Sequence, residues 1–304
     1  MFQIDTLIRT SMVTVLRTAH LPGMIRYGTE EENEATHDVT FLEAGGLGVG
    51  TGDQECFIRD GGVLVQRPGT VYRYTHTRNE APDVCLTVRF AEEFDNACDR
   101  ELATCGIAPR VTNRLAYLRW RLSSLLGTDD AIELDCWTAD ILGALRDSVG
   151  DTDRLHRPSQ LRWYSERVEA VRSMLEERYS ERHSLASMAS SVAISPFQFA
   201  RIFRRFTGRP PHQYLLQVRL EAARRMLLDG AAVTDVCYDS GFFSLSHFIH
   251  VFKRRFGLTP SAMRRAVLVK IAASKRLSGT TGGRLRRSSC SPDRAPSPDS
   301  EHKR

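Results

Sequence analysis

Between Leu185 and Pro260 the chain repeats itself, and that repeat restricts the fold more than any other feature. Leu185, Met188, Ala189, Ala193 and Ile194 recur as Val233, Val236, Cys237, Gly241 and Phe242. After one inserted residue, Ser195, Phe199, Ile202, Phe203, Gly208 and Pro211 recur as Ser244, Phe248, Val251, Phe252, Gly257 and Pro260. Each copy reads as a short helix, a tight turn and a longer helix. Ala189 and Cys237 are small enough for two helices to approach closely, and Gly241 supplies the left-handed backbone that such a turn needs. Ala193 lacks that freedom, so the first turn is either shaped differently or slightly strained. Ser195 and Ser244 are good caps for the longer helices, and Pro196 suits a first helical position.

Periodicity sorts the faces of these helices. Phe199, Ile202, Phe203 and Phe206 follow the i, i+3, i+4, i+7 rule and face a core, which turns Phe197, Ala200, Arg201, Arg204 and Arg205 outward. In the second copy Phe248, Val251 and Phe252 point inward and Leu245, Ser246, His247, His250 and Arg254 point outward. A face mixing Arg, His and an aromatic suits the major groove of double-stranded DNA, where guanidinium can grip guanine. Charge agrees: 42 Lys and Arg stand against 37 Asp and Glu, acidic runs such as Glu30–Glu32 lie early, and the arginines crowd the later half.

The rest of the chain divides around this repeat. Up to about residue 90 it is short, strand-like and broken by turns at Gly61-Gly62 and Pro68-Gly69, which predicts a meander or small barrel. Val84, Leu86, Val88 and Phe90 alternate with Cys85, Thr87 and Arg89, the pattern of a strand with one wet face. Val111, Leu115, Leu118, Leu122 and Leu125, then Ile132, Cys136 and Ala139, predict two amphipathic helices that either cover the sheet or pair with a second subunit. The expected organisation is 1–150 for this domain, 151–160 as linker, 161–272 for the repeated domain and 273–304 as a disordered basic tail. The fold class is α+β.

The second copy, from Val233-Thr234-Asp235-Val236-Cys237 through Gly241-Phe242-Phe243-Ser244 to Val251-Phe252-Lys253-Arg254-Arg255-Phe256-Gly257-Leu258-Thr259-Pro260, resembles the signature of the AraC/XylS transcription regulators. Pro211-His212-Gln213-Tyr214-Leu215, with Arg219-Leu220, Ala223 and Met226-Leu227, is similar to the long helix joining the two units in that family; Cys237 stands where the family usually has Ala. The resemblance implies two DNA-reading helices, with Phe197, Ala200 and Arg201 in the first and Leu245, Ser246, His247 and His250 in the second nearest the bases. It also implies an activator that works with RNA polymerase at promoters. The segment from Gly62 to Tyr74 resembles cupin-like sensing domains, which implies a β-barrel holding a small-molecule effector, with the following helices forming a homodimer.

Other chemistry finds little support. His37 and His76 are the candidates for a cupin metalloenzyme fused to the DNA-binding domain, but only Asp38 and Glu43 lie near His37, and no close His-x-His pair is present. Seven Cys form no CxxC pair and no cluster of the kind a DNA-repair methyl carrier needs. No cofactor motif occurs. No apolar run is long enough to span a membrane and no signal pattern opens the chain, so a soluble cytoplasmic protein is expected.

Overall fold

The computed structural model describes residues 3–20, 30–76, 82–128 and 130–278. In chain order its elements are β1 (Gln3–Arg9), β2 (Val13–His20), β3 (Glu30–Asn33), β4 (Asp38–Ala44), β5 (Gly46–Thr51), β6 (Gln54–Arg59), β7 (Val63–Gln66), β8 (Val71–His76) and β9 (Asp83–Phe90). The helices follow: α1 (Asp95–Leu102), α2 (Asn113–Leu125), α3 (Ala131–Asp147), α4 (Pro158–Glu177), α5 (Leu185–Ser191), α6 (Pro196–Thr207), α7 (Pro211–Leu228), α8 (Val233–Asp239), α9 (Leu245–Phe256) and α10 (Pro260–Ser278). The chain falls into two compact units, one ending at Arg219 and one starting at Leu220. No helix among the described residues is long and apolar enough to cross a membrane.

The first unit is mixed α+β. Its strands form two antiparallel sheets, ordered β1-β2-β9-β4-β7 and β3-β8-β5-β6. The α+β class and the β-rich first region are as expected, while the strands form two sheets where a β-barrel was expected. The meander is corrected too, because the successive strands β7 and β8 lie in different sheets. The five-stranded sheet is covered on both faces. Val15, Val88, Val39 and Val65 sit opposite one another across four strands and belong to one core with Leu115, Leu122, Trp137 and Ile141 of the helices. On the other face Leu42, Leu64 and Cys85 pack with Leu47, Val49, Ile58, Tyr72 and Tyr74 of the second sheet. Strand β9, expected to have a wet face, is therefore a central strand. Cys85 is buried, Thr87 bonds Thr40 at 2.9 Å, and Arg89 grips Asp38 at 2.8 Å.

Helix α2 buries the face its period predicts, with Leu115, Leu118, Leu122 and Leu125 inside. Helix α3 does not. Ile132 is 79% exposed and Cys136 and Ala139 also face solvent, whereas Leu134, Trp137, Ile141 and Leu145 are buried. The larger side chains decide the orientation, since Trp137 both fills the core beside Phe41 and donates its indole N–H to the Leu118 carbonyl at 2.9 Å.

One core continues from these helices into α4–α6. Tyr117 of α2 lies against Phe206 of α6, with ring centroids 5.3 Å apart. Beside it runs a buried ion network. Arg121, 2% exposed, reaches Glu133 at 2.8 Å, Glu169 at 3.6 Å and Asp140 at 3.7 Å. Arg172 of α4 holds Glu133, Glu169 at 2.6 Å and Glu176 at 2.8 Å. Tyr117 donates to Glu169 at 2.5 Å and Tyr214 to Glu176. Burial pushes the Glu133 carboxyl up, but hydrogen bonds from Arg121 and Arg172 outweigh it and hold the group below the usual carboxylate range.

Residues 151–157 have no regular structure, and Pro158 to Gln160, expected as the end of the linker, open α4. At the other end α10 reaches Ser278, six residues into the stretch expected to be disordered; Ala273, Lys275, Arg276 and Leu277 are good helix formers and the first glycine comes at 279. The rest of that tail lies outside the described residues.

Candidate nucleic-acid interface

Both copies of the repeat fold as short helix, turn and long helix. In the first, Ser184 and Ser187 close a capping box on α5, and Met188 and Ala189 are buried. Ala193 N–H then donates to Ser190 at 3.2 Å and Ile194 N–H to Ala189 at 3.1 Å. In the second, Gly241 donates to Tyr238 at 2.9 Å and Phe242 to Cys237 at 3.0 Å. The turns share one hydrogen-bond pattern, and both need a left-handed residue: φ is +83° at Gly241 and +54° at Ala193, the latter the one non-glycine residue with positive φ among those described. The first turn is thus the strained alternative. Alanine in that region costs about 1–2 kcal/mol, while glycine loses about 0.4–1 kcal/mol through the freer unfolded chain. Ala193→Gly should therefore raise the unfolding free energy by about 0.5–1 kcal/mol in a urea titration, and a lower midpoint would refute the strain.

The long helices start as the sequence predicts. Ser195 accepts from Gln198 N–H at 3.4 Å with Pro196 next, and Ser244 accepts from His247 N–H at 3.3 Å. Phe199, Ile202, Phe203 and Phe206 are sealed inside, and so are Phe248 and Phe252, while Val251 is half-buried. Outside on α6 stand Phe197, 81% exposed, with Arg201 and Arg204; Ala200 is half-buried. Arg205 turns toward the segment before α4 and pairs with Asp153 at 2.7 Å. On α9, Ser246, His247, His250 and Arg254 are exposed and Leu245 is half-buried. Each helix also ends in basic residues, Arg204 and Arg205 on α6 and Lys253, Arg254 and Arg255 on α9, which suits the negative end of its dipole.

Two features escaped the sequence. Phe243, the inserted residue of the second copy, is 62% exposed just before α9. The Arg205–Asp153 pair joins α6 to the segment before α4, and nothing in the local pattern around either residue signals it.

The proposed metal ligands are placed otherwise. His37 is fully buried, and its ring nitrogens lie 2.9 Å from Asp95 and 3.0 Å from Asp99, so both are engaged in fixing α1 to the sheet. The His76 side chain lies outside the described residues. Among the described residues no group of three or more His, Cys, Asp or Glu is placed to hold a metal.

Residues 188–266 match the family model of a helix-turn-helix domain. The chain is 35% identical over 97 residues to the HTH-type transcriptional regulator YidL of Escherichia coli, covering 32% of this chain and 33% of that one. It is 31% identical over 107 residues to the virulence regulon transcriptional activator VirF of Yersinia enterocolitica, covering 35% and 38%. A crystal structure of a transcriptional regulator with an AraC-type DNA-binding domain from Chromobacterium violaceum is 28% identical, covering 33% of this chain and 90% of that one with a TM-score of 0.32. The C-terminal region of this chain contains a helix-turn-helix domain. The chain spans between a third and a half of the length of these curated relatives.

Proposed function

We propose that the chain is a sequence-specific DNA-binding transcriptional regulator, an activator acting at promoters with RNA polymerase. The observation that carries this reading is the duplicated unit itself. Each copy seals its long helix from behind with phenylalanines and caps it with serine, so that one polar and basic face is left outside. In this reading Arg201 reads a base and Phe197 and Ala200 lie against the groove, with Arg204 and Arg205 toward phosphates. On α9 Leu245, Ser246, His247 and His250 face the bases and Arg254 the backbone.

Residues 1–150 then sense and dimerise, and residues 161–272 bind DNA. A buried polar cluster between the sheets supports a small-molecule effector: Gln66 donates to Glu34 at 2.6 Å and to Tyr74 at 2.9 Å, and Thr40 donates to Gln66 at 2.9 Å. The exposed Ile4 and Leu7 on edge strand β1 support a homodimer. We read the chain as non-catalytic. Burial, then neighbouring carboxylates, pushes the Cys85 and Cys98 thiols up to about 12, far from the thiolate a nucleophile needs. Reaching chromosomal DNA places the protein in the cytoplasm.

Selecting bound sequences from a random duplex pool with the purified full chain is the direct test. With the selected site in hand, Arg201→Ala should lose about 1–3 kcal/mol, concentrated at one base position, whereas Arg225→Ala, exposed on α7, should change affinity less than twofold. Equal losses on selected and random DNA would leave Arg201 only a phosphate contact. A wild-type chain that enriches no sequence would sink the reading.

A further inference from the structure

The irregular segment before α4 is held from one side. Arg110 donates to the Asp151 and Asp153 carbonyls at 2.6 and 3.0 Å. Asn113 donates to the Arg154 carbonyl at 3.0 Å and accepts from the His156 amide at 2.8 Å. The His156 ring lies against Tyr164 and Phe206, at centroid distances of 5.1 and 6.1 Å. Fixed in this way, the segment, the start of α4 and Arg205 of α6 enclose a hollow of about 500 Å³, lined by Asp153, Arg154, His156, Arg157, Gln160 and Arg205 among others.

Three guanidinium groups meet there against one carboxylate. Asp153 compensates Arg205 and leaves Arg205 only 22% exposed. Arg154 and Arg157 are exposed, and neither side chain has a partner among the described residues. The field of α6 reaches the wall of the hollow: burial first, then Arg205 and, more weakly, Arg201, lower the proton affinity of His156 against the opposing hydrogen bond with Gln160. Arg201 and Arg205 are four residues apart, hence neighbours on one side of α6. The hollow therefore opens beside the outward face of that helix. A duplex lying against the face presents a row of phosphates along each edge of the groove.

We propose that this hollow is a phosphate site, in which Arg154 and Arg157, with Arg205 drawn from Asp153, grip a DNA backbone phosphate flanking the groove read by α6. The proposal rests on the reading of α6 as a DNA-reading helix. It gives the segment before α4 a share in binding that is independent of base sequence, because guanidinium forks fit phosphate oxygens whatever the base. Asp153 acts as a resident competitor, occupying Arg205 until a phosphate arrives.

The test uses the full chain, its selected duplex and a random duplex, with affinities measured by fluorescence anisotropy across a salt series. Each phosphate neutralised contributes about 0.9 to the slope of log K against log salt. Arg154→Ala/Arg157→Ala should lower that slope by up to about 0.9, weaken selected and random DNA alike, and leave base preference unchanged. Neither side chain caps a helix or holds a partner, so the thermal melt should match the wild type. Asp153→Asn, which frees Arg205, should strengthen binding to both duplexes at low salt.

A double variant with unchanged slope and affinity, beside a wild type that still selects its sequence, would overturn the phosphate site and leave the DNA reading standing. A wild type that selects nothing would overturn both. Inorganic phosphate, titrated against the wild type and the double variant in thermal melts, separates the other source of the same chemistry. If it stabilises only the wild type while the DNA slopes are equal, the hollow serves a free phosphate compound and the backbone assignment falls.

Discussion

Replacing Arg121 with alanine will lower the unfolding free energy of the first unit by about 3–5 kcal/mol, because it removes one of the two guanidinium groups that answer Glu133 and Glu169 and empties the space of a nearly buried side chain. Urea rather than guanidinium should be used, since the latter is a salt and would screen the network it is meant to probe. Arg121→Met should lose less, because its side chain keeps most of the buried volume, while Arg172 answers Glu133 and Glu169 in both variants. The sign of the pH dependence follows from Glu133. Its folded-state proton affinity is depressed, so its contribution is present above the unfolded value of about 4.3 and disappears as pH falls through the lower folded value. The gap between wild type and Arg121→Ala should accordingly narrow below about pH 4. An alanine variant as stable as the wild type at pH 7 would show that the network is energetically neutral.

Phe252→Ala is expected to act on the second unit. Phe252 is fully buried, with Phe248 and Phe256 at centroid distances of 5.5 and 4.6 Å, and the other buried hydrophobic residues described in that unit are few: Leu220, Ala222, Ala223, Leu227, Val236, Cys237, Phe242 and Phe248. Deleting the ring costs about 3–5 kcal/mol, a large share of what so small a core supplies. Amides of α8 and α9 should lose most of their hydrogen-exchange protection while those of α4 to α6 keep theirs. Affinity for the selected duplex should drop at least a hundredfold, leaving what α6 alone provides. Unaltered exchange in α8 and α9 would show that Phe252 does not organise that core.

These two sites differ in how openly the sequence displays them. Phe248 and Phe252, like Phe199, Ile202, Phe203 and Phe206, are legible because a helix repeats its buried face every three or four residues and large aromatics leave little doubt which face that is. The caps at Ser195 and Ser244 and the turn at Gly241 are equally local, and so the inward and outward faces of α6 and α9 could be told apart from sequence alone. Arg121 could not be placed in that way. Its partners come from α3 and α4, and no local pattern distinguishes a buried arginine from a solvated one. Helix α1 escaped because it buries only Cys98 and Leu102. In α3 the weaker stripe of Ile132, Cys136 and Ala139 competed with the one led by Trp137, and only packing against Phe41 and α2 decides between them. The sheets were the least legible part. Alternation in β9 identifies a strand, but its neighbours β2 and β4 and the second sheet that dries its other face are set by long-range pairing.

The continuous core from the valines of the five-stranded sheet to Phe206 makes α6 and α9 unequal in thermodynamic linkage. A compound that binds only the folded sheets stabilises everything that unfolds with them, by about 2.7 kcal/mol at a hundred times its dissociation constant. Helix α6 lies in the same compact unit as the sheets, and α9 lies in the other. A compound that bound between the sheets would thus rigidify α6 directly and α9 only indirectly, and a calorimetric trace taken with such a compound at saturation should move one of two transitions and leave the other where it was.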